Sequence, residues 1–306
     1  MRIIERVKRI IERPIRLPIG IMLRYAHLFH DQKALVKGLY WMAFGKLPNL
    51  KCPKTFNEKT QWLKVYDHNS LYHKLVDKCE VKKIVADKIG SEYIIPTLGV
   101  WNRFDEINFD SLPDKFVLKT TSGGGNTGVV ICLDKASFNR EDAKRKLEAS
   151  AQNDIYRTMG EWVYKDVTPR FIAEKLLENE NGGDLTDYKI FCFNGEPKIL
   201  FYASNRQNVE HRPPFFDYYD MQLNKLDVRS KGHQNSPNTL KPFVEFEQMK
   251  MLAAELSKGI PFVRVDFYLV NGRVYFGELT FYHDSGLVPF IPAEFDYKFG
   301  ELIHLE

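Results

Sequence analysis

Two strand-like segments flank Asn271-Gly272, and this hairpin signal constrains the fold of the 306-residue chain more than any other local feature. An Asn-Gly pair is typical of a tight β-hairpin, because both residues tolerate the left-handed backbone of that turn. Apolar spacing predicts three helices, at Leu71–Gly90, Asp142–Gln152 and Met249–Lys258. It also predicts five further strands, at Phe116–Leu118, Gly128–Leu133, Arg170–Ala173, Tyr188–Phe193 and Lys198–Tyr202. We expect an α+β protein with predominantly antiparallel strands, in which Asn205–Pro242 is a long irregular connection that shapes a substrate cleft.

Bulk composition argues against several protein classes. The net charge of +4 is mild and does not indicate a nucleic-acid-binding protein. No two cysteines form a CxxC pair, which argues against a zinc site and a disulfide scaffold; they are Cys52, Cys79, Cys132 and Cys192. No stretch approaches the ~20 apolar residues of a membrane span, and charges interrupt every early apolar segment where a secretory signal would lie. We therefore expect a cytoplasmic protein.

The first 24 residues are strongly basic, with seven Lys or Arg and two Glu. Apolar residues recur at helical spacing up to Pro14, at Ile3, Ile4, Val7, Ile10 and Ile11. A short basic amphipathic helix of this kind can lie on an anionic membrane surface. Alternatively, the helix packs its isoleucines on the body of the protein, and the sequence leaves both interpretations open.

A lysine and a glycine-rich turn follow one another at Lys119 and Ser122–Gly125, directly after a predicted strand. Glycines allow backbone N–H groups to approach phosphate oxygens closely, and the lysine supplies positive charge. The segment lacks the GxxxxGK[ST] pattern of a P-loop, and in protein kinases the glycine loop precedes the lysine. Taken alone, it fits an ordinary glycine-rich hairpin as well as a phosphate site.

Two acids, Asp266 and Glu278, lie on opposite arms of the predicted hairpin. Mg²⁺ prefers a few carboxylates together with phosphate oxygens. A two-residue turn pairs Asp266 with Gly277 and sends Glu278 to the opposite face, whereas a three-residue loop with Gly272 left-handed places both acids on one face. A shared magnesium site therefore requires the three-residue loop or an equivalent bulge nearby. The alternative is two solvent-facing acids.

A third segment, Phe171–Glu178, is an apolar strand that ends in Glu174 and Lys175 and continues with Leu176 and Leu177. Its backbone can offer a donor and an acceptor to an adenine edge while the leucines cover the ring.

In this order, the segments resemble the ATP-grasp superfamily, and they are most similar to the teichuronopeptide-biosynthesis (TupA-like) ATP-grasp family found among bacterial surface-polysaccharide genes. The similarity covers roughly residues 40–306. It is carried by Pro53–Lys59 with Gln61-Trp62, Asp77-Lys78 with Gly90 and Pro96, Leu112–Asp114 leading into Phe116–Lys119, Glu174–Leu177, Asp187–Lys189 with Phe193–Gly195, and Arg264–Tyr268 with Phe276–Phe281. Each part alone is common, but the combination is specific.

The resemblance implies an ATP-grasp fold, in which two α+β lobes grip ATP, with a helical N-terminal extension. The expected units are residues 1–50 (basic extension), 51–112 (N-terminal lobe), 113–177 (small lobe with the glycine loop) and 178–306 (C-terminal lobe with the metal site). Nucleotide binding is then assigned to Lys78, Lys119, Ser122, Gly123, Gly124, Gly125, Glu174, Lys175, Leu176 and Leu177. The implied magnesium ligands are Asp266, Glu278 and Thr280, and the implied residues around the reacting groups are Arg264, Lys189, Arg206 and Gly286.

Three assignments depart from the family pattern or stay open. The third metal position is usually Asn, and Thr280 is a shorter and weaker ligand. The ribose-binding acid is not determined by the sequence, with Glu178, Glu180 and Asp184 as candidates. His283 follows the metal strand and is either a substrate contact or an ordinary loop histidine.

The implied activity is an ATP- and Mg²⁺-dependent ligase that joins an acid to an amine through an acyl-phosphate. The implied partners are an acidic glycan or glycan precursor and an amine or amino acid. A basic N-terminus suits a lipid-linked acidic acceptor at the inner face of the cell membrane. The alternatives are a glycosyltransferase, although the DxD metal motif is absent, and a membrane-associated scaffold, which leaves Lys119, Asp266 and Glu278 without a shared purpose.

Overall fold

The structure, a computed structural model, describes residues 31–123, 127–180, 185–204 and 214–305. The predictions made for the basic N-terminal segment, Gly124, Gly125, Asp184 and Arg206 concern residues outside these ranges. The helices are α1 (Gln32–Phe44), α2 (Phe56–Tyr66), α3 (Leu71–Val76), α4 (Glu80–Ile89), α5 (Arg140–Ala151), α6 (Ile155–Met159), α7 (Glu245–Ser257) and α8 (Glu294–Glu301). Across the described ranges, none of the helices is both long and apolar enough to span a membrane.

The strands confirm the predicted ones, with bounds that differ by a few residues. They are β1 (Thr97–Trp101), β2 (Phe116–Thr120), β3 (Val129–Cys132), β4 (Phe171–Lys175), β5 (Asp187–Phe193), β6 (Glu196–Ser204), β7 (Phe215–Asp220), β8 (Arg229–Ser230), β9 (Phe262–Val270), β10 (Arg273–Thr280) and β11 (Phe290–Ile291). They form a four-stranded sheet in the order β1-β4-β2-β3, a five-stranded sheet in the order β10-β9-β5-β6-β7, and the pair β11-β8. Neighbouring strands of these sheets are antiparallel, as expected.

The four-stranded sheet has one apolar face and one charged face. Phe116, Leu118 and Ala173 belong to a core cluster with Leu147 of α5. Side chains alternate along a strand, so the intervening residues of β2 and β4 point to the other side. Lys119 and Glu174 therefore share the face opposite α5, and they make that face of the sheet charged.

The five-stranded sheet is covered by helices and forms the main core. Phe56, the first residue of α2, packs edge-on against Phe262 with ring centroids 4.9 Å apart, and Phe262 contacts Phe191 of β5. The helix begins with a capping box, because Thr55 accepts a hydrogen bond from the Glu58 N–H and Glu58 accepts one in return. This start holds α2 against the sheet and against the turn that follows β10.

The prediction of one helix over Leu71–Gly90 is wrong, because the chain breaks between α3 and α4. Asp77 is extended, with ψ of 117°. Its Oδ1 accepts hydrogen bonds from the N–H groups of Cys79 and Glu80 at 2.9 Å and so caps α4. The N–H of Lys78 donates to the Thr121 carbonyl at 2.8 Å, which ties the break to the glycine-rich turn.

The expectation of an irregular connection over Asn205–Pro242 is also wrong in part. Phe215–Asp220 forms β7 at the edge of the five-stranded sheet, and Arg229–Ser230 pairs with β11. Aromatic residues at β7 supply the reason, since Tyr218 and Tyr219 are fully buried in the main core.

Candidate active site

The hairpin brings Asp266 and Glu278 to one face, but not by the predicted three-residue loop. Arg273 pairs with Val270, so Asn271 and Gly272 form a two-residue turn, with φ of 52° and 73°. The register then shifts between Phe276 and Glu278, and Glu278 pairs with Asp266. The prediction of an equivalent bulge nearby is confirmed, and the extra residue is Gly277.

Gly277 is crowded where the ladder shifts. A Cβ on this residue would lie 3.1 Å from the Asp266 carbonyl oxygen and 3.2 Å from Cε2 of Tyr268. The absence of a side chain therefore permits the two strands to approach at the bulge.

Asp266 is the centre of a buried charge cluster. Arg264 donates to both carboxylate oxygens, from Nε to Oδ1 and from an Nη to Oδ2, each at 2.7 Å. Lys189, its register partner on β5, donates to Oδ2 at 2.5 Å and lies 3.4 Å from Asp187. Burial raises the pKa of the Asp266 carboxyl, but the adjacent charges of Arg264 and Lys189 outweigh it and hold that pKa below its usual value.

Glu278 is the exposed member of the cluster. Its side chain is 33% exposed, against 3% for Asp266. It lies 3.7 Å from Arg264 and 3.7 Å from Lys78. Lys78 in turn donates to the Gly123 carbonyl at 2.7 Å. Lys78 therefore contacts the glycine-rich turn of the small sheet and approaches the acid of the large sheet.

The donor set of this cluster fits Mg²⁺. Asp266, Glu278 and the Thr280 hydroxyl surround the Arg264 guanidinium, with Thr280 Oγ1 accepting from it at 3.0 Å. Mg²⁺ takes oxygen ligands, usually one or two carboxylates plus phosphates and waters. Each carboxylate oxygen has two lone pairs, so Asp266 Oδ1 can bind a metal while it accepts from Arg264.

Lys119 forms an ion pair with Glu174 on the charged face of the small sheet. Its Nζ is 2.6 Å from Glu174 Oε2, and Lys82 Nζ is 2.5 Å from Oε1. Burial raises the pKa of the Glu174 carboxyl, but the two lysine charges lower it to about 2. Glu174 was predicted to hold adenine; the structure shows its side chain bound to two lysines, and adenine binding by residues 174–177 stays a prediction.

The segment after β4 also contacts the hairpin turn. The Asn271 side chain accepts from the Glu180 N–H at 3.0 Å and donates to the Glu178 carbonyl at 3.3 Å. The Glu178 carboxylate pairs with Lys115 at 2.8 Å. Glu178 and Glu180, the two ribose-acid candidates within the described residues, therefore lie beside the hairpin turn.

His283 is buried in the same cluster as a neutral imidazole. Its Nδ1 accepts from an Nη of Arg264 at 3.0 Å, while Nε2 faces Asp284 at 3.4 Å and the Tyr218 hydroxyl at 3.5 Å. Burial lowers the pKa of His283 to about 4. The imidazole therefore steadies Arg264 as an uncharged acceptor at neutral pH.

A left-handed turn follows His283. Asp284, Ser285 and Gly286 have φ of 47°, 57° and 60°, conformations that cost free energy for the two non-glycine residues. A Cβ on Gly286 would clash with Nε2 of Gln61 and would lie 2.7 Å from Cβ of Thr60, so any side chain at this position would force α2 or the turn to shift.

Helix α2 holds this turn from beneath. The buried Lys64 ammonium donates to Ser285 O at 2.8 Å and to Ser285 Oγ at 2.7 Å. Gln61 donates to the carbonyls of Ser285 and Gly286 at 3.1 and 2.8 Å. A trans peptide points its N–H away from its C=O, so the Gly286 N–H points away from α2. Burial lowers the pKa of Lys64 to about 8.

Sequence reasoning missed four residues of this region, namely Gln61 as a hydrogen-bond donor, Lys64, Lys82 and Tyr164. Lys82 follows Lys78 by four residues, a spacing that could have signalled it. Tyr164 lies near Glu161 and Glu278, and burial with these charges raises its pKa. Lys64 and Tyr164 carry no local signal, because their contacts are made across the fold.

Comparison with known families and structures gives one family match. The model described as "TupA-like ATPgrasp" matches residues 58–304 and so includes the whole charged cluster. No curated protein matches the chain.

Several solved structures of ligases match part of this chain. The D-alanine–D-alanine ligase from Bacillus anthracis, solved with ATP, is 14% identical, covers 67% of this chain and 53% of its own, and gives a TM-score of 0.38. The ATP-grasp ligase PsnB, solved with minimal precursor, Mg and ADP, is 10% identical. The match covers 74% of this chain and 57% of PsnB, with a TM-score of 0.38. The D-cycloserine synthetase DcsG is 14% identical, and the match covers 69% of this chain and 63% of DcsG, with a TM-score of 0.41. The chain thus spans less than two thirds of each.

Proposed function

This chain belongs to the TupA-like ATP-grasp family, and we propose that it is an ATP-dependent ligase that joins a carboxylate to an amine. The observation that carries the proposal is the position of Lys78. Its Nζ binds the Gly123 carbonyl of the glycine-rich turn and lies 3.7 Å from Glu278, the exposed acid of the second sheet. A nucleotide phosphate bound by Lys78 therefore has a carboxylate pair within reach for its metal.

The proposed reaction has two steps. A carboxylate oxygen of the acid substrate attacks the γ-phosphorus of ATP, and ADP leaves, which produces an acyl-phosphate. The amine nitrogen then attacks the acyl carbon, the C–O bond to phosphate breaks, and the nitrogen loses a proton. Lys78, Lys119 and the turn at Ser122 and Gly123 neutralise and position the phosphates during transfer.

Asp266, Glu278 and Thr280 would hold magnesium, which supplies charge neutralisation at the transferring phosphoryl group. Arg264 keeps a permanent positive charge beside these acids, because a guanidinium stays protonated in proteins and the effect of the adjacent carboxylates on its pKa outweighs the lowering by burial. The Gly286 N–H, directed away from α2, is a donor for the oxyanion of the second step. Lys189 and Arg206 are proposed to assist at the same intermediate.

We further propose that the acid belongs to a uronic-acid or other acidic unit of a bacterial surface polysaccharide and that the amine is an amino acid. This assignment rests on the resemblance to the teichuronopeptide-biosynthesis family. Such an acceptor can be lipid-linked, in which case the basic first 24 residues would contact an anionic membrane.

The proposal is tested with the purified full chain, ATP, Mg²⁺, glucuronic-acid oligosaccharides and the standard amino acids. We expect continued, multiple-turnover ADP release that requires both an acid and an amine, with a product whose mass equals their sum less one water. In a parallel incubation with a nucleotide sugar in place of ATP, consumption of that sugar donor would instead show a glycosyltransferase. Failure of the protein to bind ATP at all would overturn the proposal, whichever substrates are used.

A further inference from the structure

Glu174 has more positive partners than a single structural ion pair needs. Its two oxygens face different lysines, Oε1 towards Lys82 and Oε2 towards Lys119. The Glu174 side chain is only 5% exposed, so water provides little compensation for its charge. A carboxylate in such a place is strongly destabilising unless a cation stays beside it.

The two lysines are held differently. Lys82 Nζ also donates to the Ile95 carbonyl and to the Thr97 hydroxyl, each at 2.8 Å. With Glu174, these contacts use all three donors of its ammonium group. Lys82 is therefore fixed by protein atoms on β4, on β1 and on the segment that leads into β1.

Lys119 has a second task under the proposed function, on which this inference rests. It must direct its ammonium towards a nucleotide phosphate, and a phosphate competes with Glu174 for that charge. If Glu174 depended on Lys119 alone, nucleotide binding would leave a bare buried carboxylate. A second, immobile cation removes that penalty.

We propose that Lys82 is a positioning residue for nucleotide binding: it neutralises Glu174 permanently and so makes Lys119 available to the phosphates. Lys82 itself does not touch the nucleotide. Its effect on nucleotide affinity therefore depends on the presence of the Glu174 charge.

The test measures binding of the Mg²⁺ complex of a non-hydrolysable ATP analogue, AMP-PNP, by calorimetry. Lys82→Met should weaken binding by at least about tenfold, because Glu174 then retains Lys119. Lys83→Met is the matched control, since the neighbouring lysine on α4 is exposed, and it should change the affinity less than twofold. In the Glu174→Gln background, the same Lys82→Met change should alter the affinity by less than about threefold.

Two outcomes would overturn the inference. One is a folded Lys82→Met protein that binds AMP-PNP as the wild type does. The other is a loss of affinity on Lys82→Met that is equally large in the Glu174→Gln background, which would show a direct or merely structural role. If Lys82→Met does not fold, the Glu174→Gln protein and the double variant are compared instead: the double variant should fold and bind AMP-PNP with equal affinity, and a tenfold weaker double variant would overturn the inference. Absence of binding by the wild type would instead count against the proposed function.

Discussion

Asp266 lies directly opposite Glu278 across β9 and β10, because Gly277 is an extra residue in β10. Without that bulge, the two-residue Asn271-Gly272 turn would place the two carboxylates on opposite faces of the sheet. One residue in the ladder therefore decides whether the hairpin can present a pair of acids to a metal.

Gly277→Val should disturb this arrangement, because even a Cβ comes within 3.1 Å of the Asp266 carbonyl oxygen. Overpacking of this kind lowers the free energy of unfolding by about 1–3 kcal/mol, measurable by urea denaturation, and we expect weaker Mg²⁺-dependent nucleotide binding. Deletion of Gly277 is the informative control. It leaves Asp266 paired with Glu278 in a regular ladder, so metal-dependent binding should be retained. Equal loss in both variants would contradict the role of the bulge.

Lys119→Ala should weaken ATP binding by about 1.5–3 kcal/mol, the range for a charge-assisted hydrogen bond to a buried phosphate. Glu174 keeps Lys82 as a partner, so the fold should survive. Lys198→Ala removes an equal charge from the exposed Glu196 pair on β6 and should leave ATP affinity unchanged. Calorimetric titration with ATP compares the two variants with the wild type. Equal ATP affinities for the wild type, Lys119→Ala and Lys198→Ala would refute the assignment of Lys119 to the nucleotide site.

Glu278→Gln and Asp266→Asn should differ in what they impair. Glu278 is partly exposed, so its neutralisation should abolish most Mg²⁺-dependent turnover with little change in stability. Asp266 neutralises the buried Arg264 and Lys189, and breaking such a cluster costs about 3–5 kcal/mol. Thermal denaturation beside an ADP-release assay measures both effects. A Glu278→Gln protein with wild-type turnover would show that Glu278 does not hold the metal.

Acid should destabilise the metal-free and nucleotide-free protein through His283. Its pKa is about 4 when folded, against 6.5 when unfolded, so the unfolded chain binds more protons between these values. Stability therefore falls as the pH is lowered through this window. Between pH 7 and pH 5 the loss at this group is about 2 kcal/mol. His283→Gln should lose that much less stability over the same interval, as measured by urea denaturation. Parallel pH profiles would show that His283 does not remain neutral in the fold.

Removal of residues 1–24 should reduce sedimentation with anionic liposomes and leave ATP binding intact. The segment carries seven basic and two acidic residues beside an apolar stripe, which suits an anionic surface. Neutral phosphatidylcholine liposomes are the control, and binding to them should be weak in both proteins. Unchanged binding to anionic liposomes would favour a helix packed on the protein.

Local patterns predicted the strands well and the breaks between helices poorly. The β2 strand, which ends in Lys119 and Thr120, and the Asn271-Gly272 turn follow from alternation and from residues that accept positive φ. The break at Asp77 does not follow from the local sequence, because Leu71–Gly90 has helical spacing throughout. The hydrogen bond from the Lys78 N–H to Thr121, in a distant segment, accompanies that break.

Sequence alone identifies the family, and it predicts that Lys78, Lys119, Asp266 and Glu278 carry the chemistry, because they stand in segments whose order resembles that family. Tertiary structure decided how they are grouped. A buried charge is tolerated only beside a partner, and partners such as Lys82 for Glu174, or Lys189 for Asp266, come from other elements of the fold. The hairpin shows the same division: its turn is encoded in two adjacent residues, whereas the face of Glu278 depends on one bulge in the pairing of two strands.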